Sequence, residues 1–169
     1  IYDFLRLLYA RLGKPHCPDC GIEITAQSLD RMIERVSGLG DGEKVYIYSP
    51  IIRGRKGEYK KELDDLRREG FLRVRIDGEV HDLDEEIKLE RQKKHTIELL
   101  VDVIALRSGE RTERIADSLR LALRRSGGVV RVETVSGQGM TLSDKFACPQ
   151  CGMSYPEISP RLFSFNSPY

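Results

Sequence analysis

The residues of this chain most suited to chemistry are its cysteines, which form two Cys-x-x-Cys pairs near opposite ends of the sequence. Cys17 and Cys20 lie in "CPDCG", Cys148 and Cys151 lie in "CPQCG", and the chain has only these four cysteines. In each copy proline follows the first cysteine and glycine the second, which is typical of a zinc knuckle whose turn directs both sulfurs at one metal ion. We therefore predict one tetrahedral zinc site, and four thiolates leave no open position for a catalytic water.

Other interpretations of the cysteines stay open at this point. A redox-active dithiol needs one reactive pair with a lowered thiol pKa, and it leaves the second copy of the motif without a role. Structural disulfides are typical of small secreted chains, but Arg6 and Arg11 interrupt the first apolar run and argue against a signal peptide, so we expect a cytoplasmic protein. The second knuckle can also pair with cysteines beyond residue 169.

No other group of residues predicts a catalytic centre. The histidines His16, His81 and His95 share no metal-binding spacing, and the sequence contains neither a phosphate-binding P-loop nor a Gly-x-Ser-x-Gly nucleophile motif. We therefore expect a chain that is not an enzyme and does not bind ATP.

The net charge of +1 gives no reason to expect nucleic-acid binding from overall charge. No apolar run approaches the roughly 20 residues needed to cross a bilayer, so no membrane is expected as a partner.

The segments around and between the two cysteine pairs show the patterns of helices and strands, and these elements must position the cysteines. Helices are predicted for "IYDFLRLLYARLG", for residues 27–38, for "KGEYKKELDDLRREGF" and for "ERTERIADSLRLALRRSGG". Strands are predicted for "KVYIYSPII", for "FLRVRIDGEVHDL" with a turn at its Asp-Gly, for "HTIELLVDVIALR" and for "VVRVETV". We expect an α+β fold in which helices pack on a mixed β-sheet in two layers, with a zinc-knuckle base formed near both chain ends. The expected divisions are a helix and first knuckle at 1–24, an inserted α/β domain at 25–145, and a second knuckle with a return segment at 146–169.

The segment "LRVRID" predicts a strand with one apolar and one charged face. The side chains expected to face the core are Leu72, Val74 and Ile76, and those expected to face solvent are Arg73, Arg75 and Asp77. Residues 53–75 contain nine basic and five acidic residues, whereas residues 76–90 contain one basic and seven acidic residues. Neighbouring zones of opposite charge favour a polar protein interface, because a nucleic-acid surface needs the positive zone without an acidic neighbour.

Longer blocks of the sequence resemble the UvrA family of bacterial nucleotide excision-repair proteins. The blocks are "IYDFLRLLYARLGKPHCPDCG", "PIIRGRKGEYKKELDDLRREGFLRVRIDGEV", "LERQKKHTIELLVD" and "CPQCGMSYPEISPRLFSFNSPY", which together span nearly the whole chain. The resemblance implies the domain inserted in the first ATPase half of UvrA, through which UvrA binds UvrB, with its flanking zinc-module segments. It also implies a cytoplasmic parent that senses DNA damage, hydrolyses ATP with motifs outside this chain, works as a homodimer and loads UvrB at lesions.

The chain departs from the family pattern at both knuckles. Many relatives carry Cys-x-x-His where this chain has Cys17 and Cys20, which leaves open whether the first pair always holds metal. In the family a further Cys-x-x-Cys follows the "FSFN" block, and that pair is absent here. Cys148 and Cys151 therefore either share a metal with the first knuckle or lack part of their ligand set.

The resemblance and the charge pattern together give a hypothesis for the partner surface. We expect UvrB to meet the outer face built from the strand at 71–78, the loop at 52–57 and the start of the strand at 95. Arg73 and Arg75 are the expected anchors, because a guanidinium can hold a carboxylate through two hydrogen bonds. The neighbouring candidates are Arg53, Arg55, Lys56, Asp77, Lys93 and Lys94. The alternative is a zinc-stabilised module that contacts DNA through Arg53, Arg55, Lys56 and the "RQKK" run.

Overall fold

The computed structural model describes residues 2–24, 26–106, 112–146, 148, 150, 151 and 163. Most of the predicted return segment at 146–169 lies outside the described residues. In chain order the elements are α1 Tyr2–Leu12, α2 Leu29–Ser37, β1 Lys44–Lys56, α3 Lys60–Arg68, β2 Arg73–Ile76, β3 Glu79–Asp82, β4 Lys94–Ala105, α4 Thr112–Ser126, β5 Val129–Thr134 and β6 Gly139–Ser143. The α+β class is confirmed, while β6 has no counterpart among the predicted strands.

The six strands form one sheet in the order β3-β2-β4-β1-β5-β6. Every pairing between neighbouring strands is antiparallel among the described residues, so the expected mixed sheet is wrong. Helix α4 connects β4 to β5, and these strands run parallel to each other. The connection nevertheless spans β1, which lies between them and opposes both. The parallel strands β4 and β5 are therefore not hydrogen-bonded to each other.

The apolar core lies between the helices and one face of the sheet. Ile115, Leu119 and Leu123 recur every fourth residue in α4 and form a buried stripe. This stripe packs with the buried residues of α2 and with inward side chains of β1, β5 and β6. A second cluster places Leu63 and Leu66 of α3 against apolar residues of β2 and β4. Burial of these apolar side chains explains why α2, α3 and α4 dock on the sheet.

Both core clusters lie on the same side of the sheet. The hydroxyl of Ser49 in β1 donates a hydrogen bond of 2.8 Å to the carbonyl of Ala122 in α4. Ser49 is paired across the strands with Leu99, which belongs to the cluster around α3. Directly paired residues point to the same face, so α3 and α4 cover the same face, and the two-layer arrangement is confirmed. We call the opposite face the open face.

Strand β1 is longer than the sequence predicted. The expected strand ended at Ile52, whereas β1 continues to Lys56 and pairs with the beginning of β4. Arg53, Arg55 and Lys56 therefore lie in a strand, and the expected loop at 52–57 is wrong. The pairing shifts register beside Pro50, which has no backbone N–H to donate to a ladder. Continued pairing with β4 carries the strand beyond these irregularities.

The hairpin predicted at Asp77-Gly78 is confirmed. Strands β2 and β3 pair from Ile76↔Glu79 outward, which leaves a two-residue loop. Both loop residues have positive φ, 52° at Asp77 and 99° at Gly78, as the tight turns of two-residue hairpins require. Val74 and Ile76 are buried as predicted. The expectation for Leu72 is wrong, because this side chain precedes β2 and is 71% exposed.

None of the helices in the described part of the chain has the length and apolar character that crossing a bilayer requires.

Candidate metal centre and interaction surface

The structure brings the four cysteines together although they come from opposite ends of the chain. Their sulfur atoms all lie within 4.8 Å of one another, and the Sγ atoms of Cys17 and Cys151 are 3.6 Å apart. A tetrahedral zinc ion with Zn–S bonds of about 2.3 Å separates its ligands by about 3.8 Å, which fits this cluster. None of these four cysteines forms a disulfide. The arrangement can bind one metal ion.

Backbone hydrogen bonds shape the first knuckle. The N–H of Cys17 donates to the carbonyl of Ile22 at 2.8 Å, and the N–H of Gly21 donates to the carbonyl of Cys17 at 2.8 Å. Gly21 has a φ of 70°, a conformation that glycine adopts without the clash of a β-carbon. Cys17 and Cys148 are buried with Ile24 in a small apolar cluster. The turn thus holds both sulfurs of the first pair in place, as the motif predicts.

The environment of Cys20 disfavours its thiolate form in the absence of a metal. Burial raises the pKa of the Cys20 thiol to about 12, and hydrogen bonds with the other three cysteines add to this effect. Without a metal the thiol is therefore protonated at neutral pH, and metal binding must displace its proton.

Arg75 differs most from its expected placement. We predicted that it faces solvent, but the residue is only 8% exposed. Its Nε donates to Glu98 at 2.7 Å, its Nη1 donates to Glu133 at 2.6 Å, and its guanidinium lies 4.0 Å from the ring centre of Tyr48. The alternation along β2 does place Arg75 opposite the core. Its long side chain, however, lies flat across the open face and is covered by residues of three other strands.

The two carboxylates outweigh the cost of burying Arg75. Burial by itself lowers the pKa of Arg75, but hydrogen bonds and charge from Glu133 and Glu98 raise it overall. Sequence reasoning missed both glutamates as functional partners of this arginine. A charged residue within the apolar run "HTIELLV" is the signal that could have identified Glu98.

Arg73 is placed as predicted, on the open face and accessible. Half or more of its side chain is exposed, and its Nε donates to Asp82 of β3 at 2.7 Å. This ion pair is solvent-exposed, so it contributes little to folding and can be exchanged for a partner's carboxylate. Arg73 thus lies between the positive and negative zones of the surface.

A group of exposed cations lies where β1 ends and β4 begins. This basic end, as we call it, consists of Arg55, Lys56, Lys93 and Lys94. Lys56 and Lys94 are direct cross-strand partners. Like charges directly opposite each other destabilise a sheet. The pairing of these two lysines therefore carries a folding cost.

Asp77 is engaged in the hairpin turn. Its carboxylate accepts hydrogen bonds of 2.8 Å from the backbone N–H of Thr96 and from Nδ1 of His95, and Lys93 is 4.0 Å away. His95 is buried, and its Nε2 lies 3.0 Å from the carbonyl oxygen of Glu90. Burial raises the pKa of Asp77, but the bonds from Thr96 and His95 lower it overall. Asp77 thus fastens the hairpin to β4.

Arg53 lies half-buried on the open face, near the second knuckle. Its Nη2 atom is buried and has no hydrogen-bond partner within the described part of the chain. Burial lowers the pKa of Arg53, while attraction to Cys151, Glu98 and Cys148 opposes that shift. The eight predicted partner residues thus separate into five exposed cations and three that are wholly or partly engaged inside the fold, namely Arg53, Arg75 and Asp77.

Comparison with known proteins identifies the family. The model of the family described as "UvrA interaction domain" matches residues 27–136. The chain is 51% identical over 170 residues to UvrABC system protein A of Clostridium tetani, and 47% and 48% identical over 169 residues to those of Bacillus subtilis and Halalkalibacterium halodurans. Each match covers 100% of this chain and 18% of the relative. The chain therefore belongs to the UvrA family and carries its interaction domain, which is not a nucleotide-binding domain.

Proposed function

We propose that this chain is the protein-interaction module through which UvrA docks UvrB during recognition of DNA damage. In this proposal residues 25–145 form an inserted domain that the metal base at 1–24 and 146–169 holds in place. The parent is a cytoplasmic, homodimeric ATPase whose nucleotide-binding motifs lie outside this chain. Membership of the family and the name of its interaction domain support the assignment.

The observation that carries the proposal is the exposed basic end beside the acidic hairpin. The unfavourable pairing of Lys56 with Lys94 is explained if a partner supplies carboxylates to this part of the open face. Arg73 lies nearer the acidic side, where it pairs with Asp82 of β3. A partner with a matching pattern of positive and negative charges gains both register and a faster encounter from such a surface.

Not every residue first expected at the interface has the same role in this proposal. The contacting cations are Arg73, Arg55, Lys56, Lys93 and Lys94. Arg75 and Asp77 shape the surface from within, because their side chains already bind other parts of the sheet. Arg53 supports the surface from its position beside the second knuckle.

The test compares two charge reversals in the 169-residue chain. Arg73→Glu should weaken UvrB binding at least tenfold, about 1.4 kcal/mol, as measured by calorimetric titration. Arg120→Glu is the matched control, since Arg120 is an exposed arginine on α4, in the other layer, and also pairs with a single aspartate at 3.0 Å. Equal affinities of the two variants for UvrB would show that the interface lies elsewhere.

A DNA-contacting module is the second candidate, and the same lysine pair favours it, because phosphates also neutralise unpaired cations. The acidic residues of β3, next to Arg73, oppose a phosphate backbone at that side of the surface. Binding of a labelled duplex at two salt concentrations separates the candidates. Phosphate contacts predict affinity that falls as a steep power of salt, whereas a mixed-sign protein interface is less sensitive. Strong, salt-sensitive duplex binding without UvrB binding would favour DNA.

A further inference from the structure

A cavity separates the open face of the sheet from the second cysteine knuckle. Its volume is about 390 Å³, and its lining includes Arg53, Thr96, Glu98 and Arg131 from the sheet together with Gln150 and Cys151 from the knuckle. A side chain of the interaction domain and a predicted metal ligand therefore border the same space.

Arg53 is the group in this cavity whose bonding is incomplete. Its Nη2 is buried yet has no acceptor among the residues that the structure describes. A buried guanidinium donor without an acceptor is costly to maintain. Arg131, the other cation of the lining, has a side chain that is 46% exposed, and Glu133 lies 3.8 Å from it. Attraction to Cys151, Glu98 and Cys148 opposes the lowering of the Arg53 pKa that burial causes.

A metal bound by four thiolates would create strong negative charge beside this guanidinium. Four thiolates and one divalent ion carry a net charge of −2, and such sites depend on outer groups that donate hydrogen bonds to their ligands. We propose that Arg53 is the countercharge of the metal centre, with Nη2 available to donate to a cysteine sulfur. It is a positioning residue, which joins β1 of the interaction domain to the metal base. The inference rests on the metal site and not on UvrB docking.

An external anion in the cavity is the competing explanation for the incomplete bonding of Arg53. A carboxylate or phosphate there would lie beside Glu98 and the negatively charged metal centre, which both repel it. The geometry therefore favours the thiolates already present as the acceptors. Arginine suits this role because it stays charged when buried and offers five N–H donors.

The test measures how fast zinc leaves the protein. The zinc-loaded 169-residue chain is mixed with excess chromophoric chelator, and release is followed by absorbance for four proteins: the parent, Arg53→Gln, Arg53→Lys and Arg55→Gln. We expect Arg53→Gln to release zinc at least tenfold faster than the parent, Arg53→Lys to be intermediate because it keeps the charge, and Arg55→Gln to match the parent. Arg55 is the matched control because it is an exposed arginine of the same strand.

A second measurement does not depend on whether Arg53→Gln folds. In the parent protein, labelled with nitrogen-15, the guanidinium resonances of Arg53 should shift when zinc is removed and return when it is restored, while those of Arg55 stay constant. Equal zinc release from Arg53→Gln and Arg55→Gln would overturn the proposal. The proposal would also be overturned if the Arg53 resonances do not shift when zinc is removed, or if the parent chain binds no zinc.

Discussion

Replacing Arg75 with methionine tests the main difference between the expected and observed surfaces. Methionine keeps most of the length and apolar volume of arginine but removes its charge and its donors. The change leaves Glu98, whose side chain is 9% exposed, without the guanidinium that contacts it at 2.6 Å. Glu133 loses a contact of 2.6 Å but is 27% exposed, so water can solvate it. The damage should therefore be concentrated at Glu98.

The expected loss of stability follows from these contacts. Removing one partner of a buried ion pair costs about 3–5 kcal/mol, because the remaining charge stays buried and unpaired. The partial exposure of Glu133 places this case near the lower limit, even with the added loss of about 1 kcal/mol from the contact with Tyr48. We expect about 3 kcal/mol, which lowers the melting temperature of a chain of this size by about 10 °C.

Urea unfolding followed by circular dichroism measures this difference, and the neighbouring arginine is the matched control. Arg73→Met removes only an exposed ion pair with Asp82 and should destabilise the fold far less than Arg75→Met does. The double variant Arg75→Met with Glu98→Leu should recover most of the loss, because it no longer leaves a buried charge. If Arg75→Met is as stable as Arg73→Met, Arg75 is solvent-exposed and the inferred network is wrong.

Three further predictions concern the base, the hairpin and the absence of enzymatic activity. Elemental analysis should find about one zinc per chain, and chelation should loosen the base while the sheet and its helices stay folded; zinc-free protein with all thiols reduced and titratable would contradict this. Because the folded pKa of Asp77 is lowered, its stabilising effect is present above the unfolded pKa of about 3.9 and is lost as pH falls through the folded value. Unfolding midpoints of Asp77→Asn and the parent should therefore differ at pH 6 and converge below pH 4, and a constant difference would refute the role of the carboxylate. The purified chain should neither bind nor hydrolyse ATP, since its sequence has no P-loop, and turnover that copurifies through successive columns would contradict this.

Much of the local structure could be predicted because its causes lie within a few residues. The hairpin follows from Asp77-Gly78, since both residues tolerate the positive φ that a two-residue turn needs. Alternation correctly placed Val74 and Ile76 in the core. Leu72 was misplaced because β2 begins at Arg73, two residues after the predicted start at Phe71, and a local pattern does not fix the end of a strand.

The sequence by itself determined the cysteine motif, the α+β class, the alternation of β2 and the likeness to the UvrA family. Only the tertiary structure decided that Arg75 is buried, because its partners Glu98 and Glu133 are 23 and 58 residues away along the chain. Likewise, Cys17 and Cys151 are 134 residues apart in sequence and 3.6 Å apart in space. Local patterns report which way a side chain points from its own strand. What covers that side chain depends on which strands become neighbours in the sheet, and here β1 lies between β4 and β5.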